Sequence, residues 1–459
     1  MSLLGARGGY RAERPGHAAT TAHAQAAYPF LAEGGLGAPG CYIGRDACGG
    51  AFLFDPWAAY GTGVLTGPNM LIVGQLGRGK SALLKTYIAR QHVFGREAWV
   101  LDPKGEFAPL ARALGGSVIA LVPGGEVRLN AISSRMGREA QLSLLRSVAA
   151  AALRRELSPE EDGGLRVALR VVSEAAGEEP TLPEVVEALL HPVEAMTAEL
   201  VMEPGAFAEA TRQVALALQR LCQGDLRGMF DGQTSPGLDL GARLVVLDLS
   251  AVQDSSALGI LMACAAAWLQ GVVMERKRAA DTGGVGGAKV IVAVDEAWRI
   301  TADLGVAEWL QRSFKLSRAH GVQNIIALHR LSDLGAAGAA GSREARIAEG
   351  LIADADTKVI LAQPPDQIEG LRNLLGLSAM EAEVVPTLRR GEALWIVGRR
   401  SFLVQHRIST VEAALVDTDA RMQAGQGAQG CSGGEPPAPE GWLLAHRDVA
   451  ERVARGEVA

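Results

Sequence analysis

LIVGQLGRGKSALLK, Leu71 to Lys85, passes from an apolar run through a glycine-rich turn into helix-forming residues. Gly74 to Ser81 spells GxxxxGKS, a phosphate-binding loop pattern lying between an expected strand and an expected helix. Each residue type has a physical reason. Gly74, Gly77 and Gly79 let the backbone curl, so that N–H groups along Gly74, Gln75, Leu76, Gly77, Arg78, Gly79, Lys80, Ser81 and Ala82 face phosphate oxygens. The helix that follows adds its positive N-terminal end. Lys80 supplies a mobile point charge for the β- and γ-phosphates of ATP, and Ser81 a hydroxyl for Mg2+. The plain alternative is a glycine-rich turn between strand and helix with no ligand.

A second signature follows far along the chain. KVIVAVDEAWRI, Lys289 to Ile300, is an apolar strand pattern ending in Asp295 and Glu296. Open α/β sheets put their ligand sites at the carboxyl ends of strands. There Asp295 would hold magnesium through water, and Glu296 would accept a proton from the attacking water. A capped helix start with solvated acids is the alternative.

Working outward, valine- and isoleucine-rich runs at Asn69, Ala98, Ser117, Arg243, Lys289, Asn324 and Lys358 alternate with helical patterns. That order predicts an α/β fold with a mostly parallel sheet and helices on both faces, which together with the phosphate-loop pattern resembles a P-loop NTPase (RecA-like) core. Residues 136–230 carry only helical periodicity and read as an all-helical insertion between 67–135 and 231–418. Ser158 and Thr181 are expected helix starts within it. Residues 26–66 read as a small β-hairpin region, and GEALWIVGRRSFLVQHRIS as a second hairpin around Gly398-Arg399-Arg400. Segments 1–25 and 419–440 read as disordered, and 441–459 as a C-terminal helix.

Composition sets the frame. The chain has 459 residues, 48% of them hydrophobic, and a formal charge of −6, so it has no overall basic field to attract a polyanion. Five cysteines without CxxC spacing argue against a disulfide framework or a zinc site and for a reducing cytoplasm. No export signal is legible at the N-terminus. Ala257 to Met274 is uncharged, but its alanines and its place after RLVVLDLS fit a helix buried on a sheet better than a membrane span.

With both nucleotide motifs placed, the chain resembles the HerA/FtsK superfamily of ring-forming ATPases, and within it the VirB/TraC-type transfer ATPases of conjugation and type IV secretion. The resemblance rests on NMLIVGQLGRGKS, LDPKGEF, MFDG, VDEAW, SRAHG and LGLSAMEAEVVPTLRRGEALWIVG, across about residues 40–410. It implies ATP hydrolysis with Mg2+ by a homo-oligomeric ring, a hexamer, that docks on membrane-complex components from the cytoplasmic face. It also implies an arginine offered to a neighbouring subunit's nucleotide: Arg318, with Arg389 and Arg390 as competitors. Asp102, Lys104 and Glu106 would couple the site to the subunit interface, although an exposed charged turn explains them equally well. Relatives end the strand corresponding to NIIAL with a Thr-Gln pair, a place held here by Leu328-His329. A histidine there can still hydrogen-bond phosphate or water. Two other readings stay open: a DNA translocase, for which Arg276, Lys277, Arg278 and Lys289 are the candidate DNA contacts, and a nucleotide-dependent scaffold with little turnover.

Overall fold

A computed structural model describes residues 35–133, 137–175, 179–253, 255, 258–282, 289–297, 311, 314–315, 321–330 and 343–416. Arg318, the terminal segments 1–25, 419–440 and 441–459, and the side chains of Arg276, Lys277 and Arg278 lie outside the described residues.

The described residues open with β1 (Cys41–Asp46), β2 (Ala51–Phe54) and the short helix α1 (Pro56–Gly61). β3 (Met70–Val73), α2 (Lys80–Val93), β4 (Glu97–Asp102), α3 (Ala108–Ala113) and β5 (Ser117–Ala120) follow. Five helices come next: α4 (Arg138–Leu153), α5 (Pro159–Ala175), α6 (Leu182–Leu190), α7 (Glu194–Glu199) and α8 (Pro204–Gln223). The sheet resumes with β6 (Leu244–Asp248), then α9 (Leu258–Thr282), β7 (Val290–Val294) and β8 (Val322–Leu328). The last elements are α10 (Arg343–Ala353), β9 (Thr357–Leu361), α11 (Ile368–Leu375), α12 (Ala379–Val384), β10 (Glu392–Val397), β11 (Arg400–His406) and α13 (Thr410–Val416).

The strands form one mixed sheet in the order β2-β1-β11-β10-β9-β3-β8-β7-β4-β6-β5. From β9 to β5 every neighbouring pair is parallel, whereas β10, β11, β1 and β2 extend the sheet as antiparallel hairpin strands. The parallel strands read as continuous apolar runs because both faces are covered. Successive side chains go to opposite cores: Leu71 and Val73 of β3 pack on one side with Trp99, Val245 and Ile360, and Met70 and Ile72 on the other with Val100, Val246 and Val359. α2 and α3 cover the second side through Leu84, Ile88 and Leu110. α9 and the helices α4 to α8 cover the first. Each fully buried Leu, Ile or Val on these faces contributes about 2 kcal/mol relative to exposure.

Local signals explain several boundaries. Ser158 and Glu161 cap α5 reciprocally, the Ser158 N–H donating to Glu161 Oε2 (2.9 Å) and the Glu161 N–H to Ser158 Oγ (3.2 Å). Thr181 and Glu184 form the same capping box at α6. β10 and β11 pair with Val397 opposite Arg400, so the turn is Gly398-Arg399 and Arg400 belongs to the strand. α9 lies on the sheet, its Trp268 meeting Trp99 of β4 edge-on at 6.3 Å. Among the described residues no helix is long and apolar enough to cross a membrane.

Candidate nucleotide site

β3 lies between β9 and β8, and β8 lies between β3 and β7. The segments leaving these strands at their carboxyl ends therefore converge on one edge of the sheet. From β3 comes the loop Gly74–Gly79, from β7 the pair Asp295-Glu296, from β8 His329, from β4 the stretch Pro103–Phe107, and from β9 Ala362-Gln363.

The start of the loop is pinned by its neighbours. The Gly74 N–H donates to the Leu328 carbonyl (3.0 Å) and the Gln75 N–H to the Ala362 carbonyl (3.3 Å). Farther along the loop Gly77 and Gly79 take φ values of 76° and 102°, conformations that side chains on L residues rarely tolerate. Gly79 is the N-cap of α2 and offers no side chain to the first-turn N–H groups. By contrast Asp55 caps α1, accepting from Trp57 N and Ala58 N at 3.0 and 2.8 Å. A helix start with open N–H groups, no cap and no acid in its first turn is suited to an anion.

Lys80 opens α2 and is buried. Its Nζ lies 3.1 Å from His329 Nδ1, and His329 Nε2 lies 2.8 Å from Glu296 Oε1. Lys104 Nζ meets the same Glu296 oxygen at 2.5 Å. Ser81 Oγ donates to Asp295 Oδ2 at 3.5 Å. The two motifs read from sequence thus share one site.

The electrostatics follow from burial. Desolvation pushes the Lys80 ammonium below its ordinary pKa, while Asp295 and Glu296 pull it back up. Desolvation raises Asp295, and the Lys80 charge opposes the rise. Partial burial would lower Lys104, but the hydrogen bond and charge of Glu296 outweigh it and leave it raised. Glu296 carries φ 55°, a left-handed backbone unusual for a residue with a side chain and frequent at functional sites.

Mg2+ can be tested against this geometry. Ser81 Oγ and Asp295 Oδ2, hard oxygen donors 3.5 Å apart, are the groups that would hold Mg2+. No group of three or more His, Cys, Asp or Glu side chains converges as a metal site among the described residues. Two protein oxygens suit an ion that keeps water and phosphate oxygens as its other ligands.

Other residues fall in places that sequence reading did not foresee. Arg389 and Arg390 are exposed on the turn before β10, whose Gly391 N–H donates to the Arg78 carbonyl (3.2 Å), so they flank the phosphate loop of their own chain. Lys289 stacks over the Trp57 ring at 5.7 Å, with Arg96 at 5.0 Å from the same ring. Gln363, buried after β9, donates Nε2 to the His329 carbonyl at 3.0 Å. A polar residue directly after the run KVILA was the only signal for it.

No protein-family model and no curated protein sequence matches the chain. Solved structures do. VirB4 of Thermoanaerobacter pseudethanolicus superposes with a TM-score of 0.66 at 22% identity, covering 83% of this chain and 99% of that one. The bacterial conjugative coupling protein TrwB superposes with a TM-score of 0.51 at 16% identity, covering 74% and 85%. The plasmid coupling protein TrwB in complex with ADP and Mg2+ gives 0.52 at 16% identity, covering 74% and 86%. The chain has the P-loop α/β fold of VirB4 and TrwB, in agreement with the resemblance drawn from its motifs.

Proposed function

We propose that the protein hydrolyses ATP and uses the cycle to drive a ring-shaped motor in conjugative DNA transfer or type IV secretion. One observation carries the hydrolysis: a phosphate loop and an Asp-Glu pair, more than two hundred positions apart in sequence, are joined by His329 into one contact chain from Lys80 to Glu296. The fold shared with VirB4 and TrwB supports the motor and its setting.

In this reading loop N–H groups and Lys80 hold the β- and γ-phosphates. Ser81 and Asp295 would hold Mg2+, which when bound draws charge off the phosphate oxygens. Glu296 takes the proton from the attacking water. Lys80, now 3.1 Å from His329, turns to the γ-phosphate when nucleotide arrives. His329 then lies between that phosphate and Glu296, able to register whether the phosphate is present. Arg318 would come from one subunit to the nucleotide of the next, which requires a ring.

Phosphate release and binding of a fluorescent ATP analogue, measured on the wild type and on Glu296→Gln, test the hydrolysis. The variant is expected to bind ATP with wild-type affinity and to lose at least about a hundredfold in turnover. Turnover near wild type would move the base elsewhere, and loss of ATP binding would mean that Glu296 acts on affinity.

A further inference from the structure

Sequence reading leaves Asp102, Lys104 and Glu106 divided between a coupling element and an exposed charged turn. The structure fastens that stretch at several points. Asp102 ends β4, is buried, and accepts the N–H groups of Lys104 (3.2 Å) and Phe107 (2.7 Å). Gly105 takes φ 69°, and a Cβ there would meet the Ser250 side chain at 3.1 Å. Glu106 pairs at 3.2 Å with Lys85, which is fully buried on α2, and Phe107 is fully buried as well. A turn held in this way has little freedom in where it places Lys104.

That place is the carboxyl end of the neighbouring strand. β4 lies beside β7 with Leu101 opposite Val294, so Lys104 faces Glu296 across adjacent strand ends. Glu296 leaves the strand on a left-handed backbone, and both Lys104 and His329 meet its Oε1. A carboxylate on such a backbone needs external contacts to stay in one rotamer. His329 is also aligned with Lys80, so a phosphate that draws Lys80 away alters that contact as well. Lys104 has no such second duty toward the phosphate loop; its loop is tied instead to Lys85 on α2.

We infer that Lys104 is a positioning residue: it holds the Glu296 carboxylate where water must be deprotonated, and the Asp102–Phe107 turn links that placement to the helix carrying the phosphate loop. The inference rests on the hydrolytic reading of the site given above.

The test uses the full chain and compares Lys104→Met, Lys104→Arg and Glu296→Gln singly, and Lys104→Met with Glu296→Gln together. Lys104→Met should lower kcat about tenfold or more while KM and ATP affinity stay within about twofold. Lys104→Arg should restore part of the loss, with melting temperatures showing that all variants are folded. In the Glu296→Gln background, Lys104→Met should change the residual turnover no further, because its effect passes through the missing carboxylate. An unchanged kcat in Lys104→Met, an equal loss in the two backgrounds, or a fall in ATP affinity matching the fall in kcat would each overturn the inference. If Glu296→Gln itself hydrolyses like the wild type, the reading of the base fails. If Glu296→Gln is inert and Lys104→Met is fully active, only the positioning role fails.

Discussion

Lys80 and Glu296 are bridged by a single imidazole, His329, whose Nδ1 lies 3.1 Å from the lysine and whose Nε2 lies 2.8 Å from the carboxylate. β8 makes this arrangement by running between the strands that carry the two motifs. A side chain leaving that strand at its end reaches both.

His329→Ala should therefore reduce kcat about a hundredfold and leave ATP affinity within a few fold. His329→Gln keeps a donor and an acceptor and should retain activity within about tenfold of wild type. Steady-state phosphate release across an ATP titration separates the two. Equal activity in the alanine variant and the wild type would leave the bridge without a catalytic role and favour the scaffold reading.

Lys80→Ala should abolish detectable ATP binding, measured by calorimetry or with a fluorescent analogue. The fold should survive, because Lys80 is itself held against desolvation and its removal relieves that cost. Thermal melting without nucleotide should stay within a few degrees of wild type, and the stabilisation that ATP gives the wild type should vanish. ATP-dependent stabilisation that persists would show that the loop is not the phosphate site.

Complementation between subunits tests the proposed trans role of Arg318. Inactive Arg318→Ala and inactive Glu296→Gln chains, mixed and shown to co-assemble, should recover part of the wild-type turnover at interfaces where an intact arginine meets an intact site. Absence of any recovery in proven mixed rings would transfer the role to another residue.

Much of this was legible because the signals were local. The glycine spacing around Lys80, the apolar run ending in Asp295 and the alternation of strand and helix patterns each lie within a short window. The capping signals at Ser158 and Thr181 are of the same kind. The order of strands was not legible, since it depends on contacts between distant segments. Without that order nothing in the sequence joined Lys104 to Glu296, or Gln363 to the His329 carbonyl. Arg389 and Arg390 illustrate the same limit: residues far from Arg78 in the chain become its neighbours once β10 joins the sheet beyond β9.

Asn69, the residue before β3, supplies a test of how the strands are locked. Its Nδ2 donates to the Phe314 and Asp354 carbonyls (3.1 and 3.2 Å), and its Oδ1 accepts the Asn324 N–H (3.1 Å). Asn69→Ala strands these buried groups and should cost about 2–4 kcal/mol in urea unfolding. A loss below about 0.5 kcal/mol would mean that water replaces the amide freely.

His406 gives the stability a pH dependence whose sign is fixed. Its Nε2 lies 2.8 Å from Thr86 Oγ1, and burial, helped by the Arg90 charge and opposed by Glu412, pushes its pKa down to about 4 from 6.5. The unfolded chain takes up the proton near pH 6.5 and the folded chain only near pH 4, so stability present above pH 6.5 is lost as pH falls through that window. The shift corresponds to about 3 kcal/mol. His92, pushed down to about 4 by burial and then by Arg243, adds to the loss. Asp102, raised by burial to about 6, works against it, since the folded state takes its proton first. Changing His406→Gln keeps a hydrogen-bonding side chain beside Thr86 and removes the titration. Urea unfolding at pH 7 and pH 4 should show the variant losing about 3 kcal/mol less than wild type between the two. Parallel losses in both proteins would show that His406 does not resist protonation in the fold.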